Sequence, residues 1–400
     1  MDGFFLIFLV LALALGWYLG RRSKGQAPKE PPGLKQQYFK GLNYLLSEKP
    51  DHAIEGFIES LDVNSETLET HISLGKMLRR KGEVDRAIQV HQNLLARPSL
   101  SEPQQHLAQL ELARDYIKAG LLDRAERLLQ ELVESTSPYR LEALQHLQEV
   151  YRDEKEWGKA LHTLSLQFNK RFGRPPADVL LAQAHFCCEL AEQSLVKNDY
   201  LSARRHVKAA LGFDRSVVRA NLIGGRLEFG LGHYKDALKV LQLIPQQRID
   251  YTAEALPWIE KCYRALADVA SYRHFLIELW QAQPSLSVMI ALMKFLETEE
   301  GQCVAQTFLV ESLEQHNVSL EGVYHLVRFE LLKGEGDNRV LSAVSQLFEG
   351  LLSEVDPYTC QKCGFQASQL YWLCPSCKSW EVLRPTVSQS PLNYVKPTSF

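Results

Sequence analysis

Charged residues are missing from Phe4 through Leu19, whereas from Lys35 onward apolar positions recur every three or four residues. The first pattern is apolar on every face and the second has one apolar stripe per helix. With Gly3 and Gly20 the first run reaches 18 residues, about 27 Å as a helix against a hydrocarbon core of roughly 30 Å. It predicts a transmembrane anchor at 1–20. Trp17 and Tyr18 near its end suit the headgroup region, and Arg21, Arg22 and Lys24 follow at once, while Asp2 is the sole charged side chain before it. A secretory signal would carry its positive residues ahead of the apolar run. The asymmetry predicts a retained single-pass anchor with the body in the cytoplasm. Pro28, Pro31 and Pro32 then predict an extended juxtamembrane linker over 21–34.

Between Lys35 and Leu352 the helical period is organised into a longer one. Gly41, Tyr44, Ala53 and Phe57 set a small–aromatic–small–aromatic pattern, and 34 residues on Gly75, Leu78 and Ala87 repeat it. Ala113, Tyr116 and Ala125 continue the series, followed by Tyr151 with Ala160, then Ala203, Ala237 and Ala305. A degenerate unit with Tyr263 and Pro284 and a weaker one around Val340 bring the expected total to about nine. The small residues let paired helices and successive pairs approach closely, so neighbouring units build one continuous core. Lys81-Gly82-Glu83, Ala119-Gly120 and Leu231-Gly232-His233 are the predicted turns. The steps from Ala87 to Ala125 and from Ala160 to Ala203 exceed 34 residues, so a lengthened helix or an insertion, expected at 170–176, is required there. The stretch 35–352 resembles tetratricopeptide repeats, which implies an α-solenoid that binds other proteins on its concave face. Single aromatics such as Tyr151 and Tyr200 are read as core, and no partner-contact residue is assigned.

Composition narrows the function by exclusion. Lys and Arg total 45 against 48 Asp and Glu, a net charge of −3, which offers no bulk attraction for nucleic acid. Arg79-Arg80-Lys81 and Arg204-Arg205-His206 read as solvated helix faces. Cys187, Cys188, Cys262 and Cys303 lie in apolar helical stretches, as expected of small buried hydrophobes, and nothing suggests a secreted disulfide framework. No G-x-S-x-G, H-E-x-x-H or phosphate-binding loop motif occurs. His71, His91, His106, His146 and His162 read as ordinary helix residues. The expectation is a protein without catalytic machinery.

The chemistry concentrates near the C-terminus. Cys360-Gln-Lys-Cys363-Gly364 and Cys374-Pro375-Ser-Cys377 place two C-x-x-C pairs ten residues apart. Four thiolates at this spacing can surround one tetrahedral ion, and an all-sulfur set suits zinc or iron equally. Gly364 supplies a backbone conformation costly for other residues. Tyr358, Phe365, Trp372 and Trp380 are expected to pack around a module, 356–385, too small for a core of its own. The Ser- and Pro-containing stretch 386–400 reads as a disordered tail. The knuckles are similar to those of rubredoxins and zinc ribbons, although rubredoxin pairs lie much further apart. Basic residues near them are few, chiefly Lys362, Lys378 and Arg384, which argues against a nucleic-acid-binding ribbon.

Anchor, repeats and knuckles together resemble the lipopolysaccharide assembly protein B family (LapB, or YciM) of Gram-negative bacteria, over nearly the whole chain. The resemblance implies an inner-membrane adaptor facing the cytoplasm. Such adaptors promote proteolysis, by the membrane-bound AAA+ protease FtsH, of the deacetylase that commits precursors to lipid A. It also implies a third partner, an inner-membrane protein that senses lipopolysaccharide and restrains the adaptor. By that resemblance Cys360, Cys363, Cys374 and Cys377 are the metal ligands, and the metal module docks on the repeats. Two other readings follow from the same features: a scaffold coupling lipopolysaccharide synthesis to its export machinery, and a rubredoxin-like electron-transfer protein. The oligomeric state is left open.

Overall fold

The computed structural model describes residues 68–98, 100–168, 175–316, 319–333, 339–354 and 356–386, with Ala14 and Trp17. Apart from those two residues, the anchor at 1–20 lies outside the described residues, as do the linker, the first repeat around Gly41 and most of the expected insertion. Among the described residues no helix is long and apolar enough to cross a membrane. The chain divides into two compact units, Met1–Val150 and Tyr151–Phe400.

The first unit contains α1 (Leu68–Lys81), α2 (Val84–Leu95), α3 (Glu102–Lys118), α4 (Leu122–Glu134) and most of α5 (Arg140–Asp153). Helices pair α1 with α2 and α3 with α4, and α3 also packs on α2. The second unit continues with α6 (Trp157–Gln167), α7 (Ala177–Val196), α8 (Tyr200–Phe213), α9 (Val218–Gly230) and α10 (Tyr234–Leu241). After α11 (Ile244–Gln247) and a 3-10 turn (Ile249–Tyr251) come α12 (Thr252–Ala265), α13 (Val269–Ala282) and α14 (Leu286–Glu299). The helices end with α15 (Gln302–Gln315), α16 (Leu320–Lys333) and α17 (Arg339–Glu354). The long step from Ala160 to Ala203 is taken up partly by α7 itself, which runs 20 residues.

One turn closes the first helix of successive pairs. Its amide donates back five residues, as from Glu83 to the Leu78 carbonyl, Leu121 to Tyr116, Glu156 to Tyr151 and His233 to Glu228. Asp199 to Ser194 and Asp268 to Tyr263 make the same bond. This closure needs a residue with positive φ just after the helix. Gly82, Gly120 and Gly232 supply it at no steric cost, whereas Lys155, Asn198 and Ala267 adopt it with side chains in place. Only the glycine turns stand out in sequence.

Ala87, Ala113, Ala125, Ala160, Ala203, Ala237 and Ala305 are all fully buried, as their spacing demands. Two glycines make closer approaches. A Cβ on Gly225 would lie 2.4 Å from Leu241 Cγ, and one on Gly75 would lie 2.4 Å from the His91 ring. Leu241 is fully buried and cannot swing away. Gly225→Ala is therefore expected to destabilise the second unit by about 1–3 kcal/mol. Urea unfolding measures this, with Gly212→Ala, where a Cβ meets open space, as the control expected to cost nothing.

The basic cluster on α1 is not the solvated face that its composition suggests. Arg80 and Lys81 are exposed, but Arg79 reaches 2.7 Å from Glu111 Oε2 and 2.6 Å from Asp115 Oδ1, both carboxylates being fully buried on α3. Lys76 and Arg114 also approach Glu111, at 3.3 and 2.5 Å. His91, fully buried on α2, hydrogen-bonds the second Asp115 oxygen, so it too is more than an ordinary helix residue. Burial alone would raise the Glu111 pKa, yet Arg79, Arg114 and Lys76 hold it below its ordinary 4.5. A depressed carboxylate contributes stability above its unfolded value and loses it as pH falls through the folded one. Arg79→Met should destabilise the first unit by roughly 3–5 kcal/mol at neutral pH by stranding two buried carboxylates. The deficit should shrink below about pH 4, where Glu111 is protonated in the unfolded chain. Chemical unfolding at pH 7 and pH 4 checks both.

Candidate metal centre and its seat on the helices

Three short strands, β1 (Tyr358–Cys360), β2 (Gln366–Ala367) and β3 (Leu383–Pro385), form an antiparallel sheet in the order β2-β1-β3. Each C-x-x-C pair closes a tight knuckle. Gly364 donates its amide to the Cys360 carbonyl at 3.0 Å, and Lys378 donates to the Cys374 carbonyl at 2.9 Å. Gly364 and Lys378, each just after the second cysteine of its pair, both take positive φ, 76° and 53°. The two knuckles thus share one backbone plan although only one carries the expected glycine. The Lys362 amide points at Cys360 Sγ, 3.4 Å away.

These knuckles bring all four predicted cysteines together. Cys360, Cys363, Cys374 and Cys377 have their sulfurs within 4.8 Å of one another. Cys360 to Cys377 and Cys363 to Cys374 are each 3.7 Å. A tetrahedron with metal–sulfur bonds of about 2.3 Å has edges of about 3.8 Å. The residues present therefore fit one metal ion, and four thiols in this arrangement can bind it. Burial pushes the Cys374 thiol up to about 12. At Cys377 burial also opposes ionisation, but hydrogen bonds from Ser379 overcome it and bring the thiol down to about 6. The ion would supply a covalent-strength staple between the two knuckles and offset the charge of thiolates that the protein alone cannot all sustain.

The module has almost no interior of its own. Its buried side chains are Cys360, Ala367, Cys374 and Leu383, with Tyr358, Phe365 and Leu370 half-buried against them. Trp372 and Trp380, expected to pack around the knuckles, are instead spent on the helices. Trp380 stacks on His185 of α7 at 4.5 Å between ring centres and 7° between planes. Its edge meets Phe186 at 5.9 Å and Trp157 at 6.3 Å. Trp372 lies 5.1 Å from the ring of Tyr251. Behind Trp372, Arg219 is nearly fully buried and paired with Glu189 at 2.9 Å and Glu192 at 2.7 Å.

Tyr251 is the centre of this seat. Pro245 interrupts the helical path after the short α10, and the 3-10 turn that follows delivers the Tyr251 side chain, wholly buried, beneath strand β3. Its hydroxyl donates to the Leu383 carbonyl at 3.2 Å and accepts from Arg384, whose guanidinium also lies over the ring at 4.8 Å. Arg384 Nε reaches Asp250 at 3.3 Å. Tyr358 donates to Glu254 of α12, and Lys378 lies 3.6 Å from Asp153. His185 Nε2 is 3.4 Å from Glu381 Oε1 without hydrogen-bond alignment, and burial lowers the His185 pKa despite that carboxylate. None of these helical partners carries a local sequence signal. The only clue was an excess of aromatics in a module too small to bury them.

Two other expectations change. Cys187, Cys188 and Cys262 are buried as read, but Cys303 is exposed near the start of α15. Tyr151 is core, whereas Tyr200 at the start of α8 is exposed.

The family described as "Rubredoxin metal binding domain" matches residues 358–385, and "Tetratricopeptide repeat" matches residues 70–102. "Lipopolysaccharide assembly protein B" of Escherichia coli K12 is 34% identical over 95% of this chain and 97% of its own length. The protein of that name from Haemophilus influenzae is 32% identical over 96% of this chain and 98% of its own. A solved tetratricopeptide repeat protein from Parabacteroides merdae is 13% identical at a TM-score of 0.33, over 71% of this chain and all of that one. The similarity to the two curated relatives runs nearly end to end on both sides, and the chain belongs to the lipopolysaccharide assembly protein B family.

Proposed function

We propose that this chain is a non-catalytic adaptor in lipopolysaccharide assembly, held at the inner membrane by residues 1–20 with its body in the cytoplasm. The observation that carries the reading is the near end-to-end relationship to proteins named for that process. In this account 21–34 is the tether, 35–352 the protein-binding repeats, and 356–385 a brace whose ion is held by Cys360, Cys363, Cys374 and Cys377. The partners are those of the family: FtsH, the lipid A-committing deacetylase, and the lipopolysaccharide-sensing membrane protein. Tethering raises the effective concentration of a captured enzyme beside a membrane protease, so delivery needs no chemistry from the adaptor itself. Deleting residues 1–20, or replacing Cys360 by Ser, should each lengthen the deacetylase half-life and raise lipopolysaccharide. A half-life unchanged in both variants, measured after blocking protein synthesis, contradicts the adaptor role.

A further inference from the structure

The turn between α7 and α8 leaves apolar side chains in water. Val196, the last residue of α7, is 84% exposed, and Leu201, in the first turn of α8, is 71% exposed. Tyr200 between them is exposed as well. The turn itself, Lys197-Asn198-Asp199, is well bonded. Asn198, at a φ of 58°, donates to the Leu195 carbonyl at 3.0 Å, and Asp199 donates to Ser194 at 2.9 Å. Asp199 also caps α8 by accepting from the Ser202 amide at 3.0 Å. Side chains this exposed protrude rather than line a groove, and the bonded turn holds them there.

The helix period divides the basic cluster beside this turn. Ala203, Val207 and Ala210 form the buried face of α8. Leu201, Arg205 and Lys208 stand two positions away from them, about 200° around the helix, and all three are exposed. Arg204 is held by Glu228 of α9 at 2.6 Å, and His206 is partly buried. Lys197, Arg205 and Lys208 have no ion pair within 4 Å among the described residues. No acidic residue occurs in α8. Carboxylates on the adjoining segments are engaged elsewhere: Asp199 in the cap, Asp214 with Ser216, Glu189 and Glu192 with Arg219, and Glu228 with Arg204. A surface that sets protruding aliphatics beside unpaired cations suits an anionic bilayer. Its headgroups take the cations and its acyl boundary takes the apolar chains. A protein partner would instead have to supply a pocket for each protruding side chain.

We propose that the α7–α8 turn is a second membrane contact. Val196 and Leu201 enter the acyl boundary of an anionic leaflet, and Lys197, Arg205 and Lys208 meet its phosphates. The inference rests on the membrane reading proposed above, because an anchor at 1–20 supplies the effective concentration at which so small a contact is populated. Each cation beside an anionic surface strengthens the contact roughly fivefold, so the charge of the lipid decides occupancy. With this contact made, the second unit is held at a set tilt to the bilayer instead of swinging on its tether.

The test places the full chain in nanodiscs of mixed phosphatidylglycerol and phosphatidylcholine, or of phosphatidylcholine alone, with Val196 replaced by photoactivatable benzoylphenylalanine. Illumination should attach phospholipid at position 196, roughly fivefold or more in favour of the anionic discs, as read by peptide mass spectrometry. Arg205→Glu with Lys208→Glu, at two exposed positions that leave the fold intact, should cut that adduct by roughly fivefold or more. Equal adduct in the two kinds of disc overturns the proposal. So does an adduct untouched by the charge reversal, or one formed with a second copy of the chain in place of lipid. A chain that floats with the discs yet forms no lipid adduct overturns this inference and leaves the anchor standing. A chain that leaves the discs overturns both.

Discussion

Replacing Cys374 by Ser should unfold residues 358–385 while the helices that seat them remain folded. The strands of the module are two or three residues long, and two of its four buried side chains are themselves ligand thiols. Such a module cannot bury enough apolar surface to fold by that means alone. Structural zinc in comparable small modules supplies an apparent 10–16 kcal/mol, and roughly that scale is at stake here. With three thiols left, the ion content of the purified chain should fall from one per chain to near zero. Trp372 and Trp380 should leave Tyr251 and His185, with a red shift in tryptophan emission and a loss of near-ultraviolet dichroism. Far-ultraviolet dichroism should hardly change. A Cys374→Ser chain that keeps its ion and its aromatic signal would show that the four-sulfur site is not what holds the module together.

The second large effect belongs to Tyr251. Tyr251→Ala should cost about 3–5 kcal/mol, since it removes a wholly buried ring and leaves a cavity beneath β3 and Trp372. Tyr251→Phe keeps the packing but strands the Leu383 carbonyl and removes the acceptor for Arg384, at about 1–3 kcal/mol. Both costs should appear in urea unfolding followed by tryptophan emission. The pairing with Cys374→Ser is diagnostic. If Tyr251 acts through the docked module, Tyr251→Phe should cost little in a chain whose module is already released. Full additivity of the two changes would mean that Tyr251 serves only the packing of the helices.

Local rules carried far along this chain. The two C-x-x-C pairs announced a four-sulfur cluster because the knuckle is a short-range backbone device, closed by bonds across four residues. The buried alanines were legible for a similar reason, since their spacing is set by the repeat rather than by anything distant. Half of the turns were silent, because Lys155, Asn198 and Ala267 accept positive φ without announcing it as glycine does. Long-range partners were invisible. Tyr251 meets Leu383 across 132 residues, and Arg79 meets Glu111 across 32, so composition alone assigned Arg79 to solvent. Trp372 and Trp380 were placed in the correct module but with the wrong neighbours, because a sequence shows that aromatics exceed the core available and not where the excess goes.

If a thiolate-bound ion braces the module against the helices, the two behave as one body. Hydrogen–deuterium exchange of the full chain, before and after a strong chelator, tests it directly. Ion removal should speed exchange of the amides at 358–385 by orders of magnitude. Exchange should also quicken, in the same experiment, for the turn at 249–251 and for α7 around His185, which the module covers. Unchanged exchange at those covered amides, with the module itself exposed, would show that the helices never depended on it.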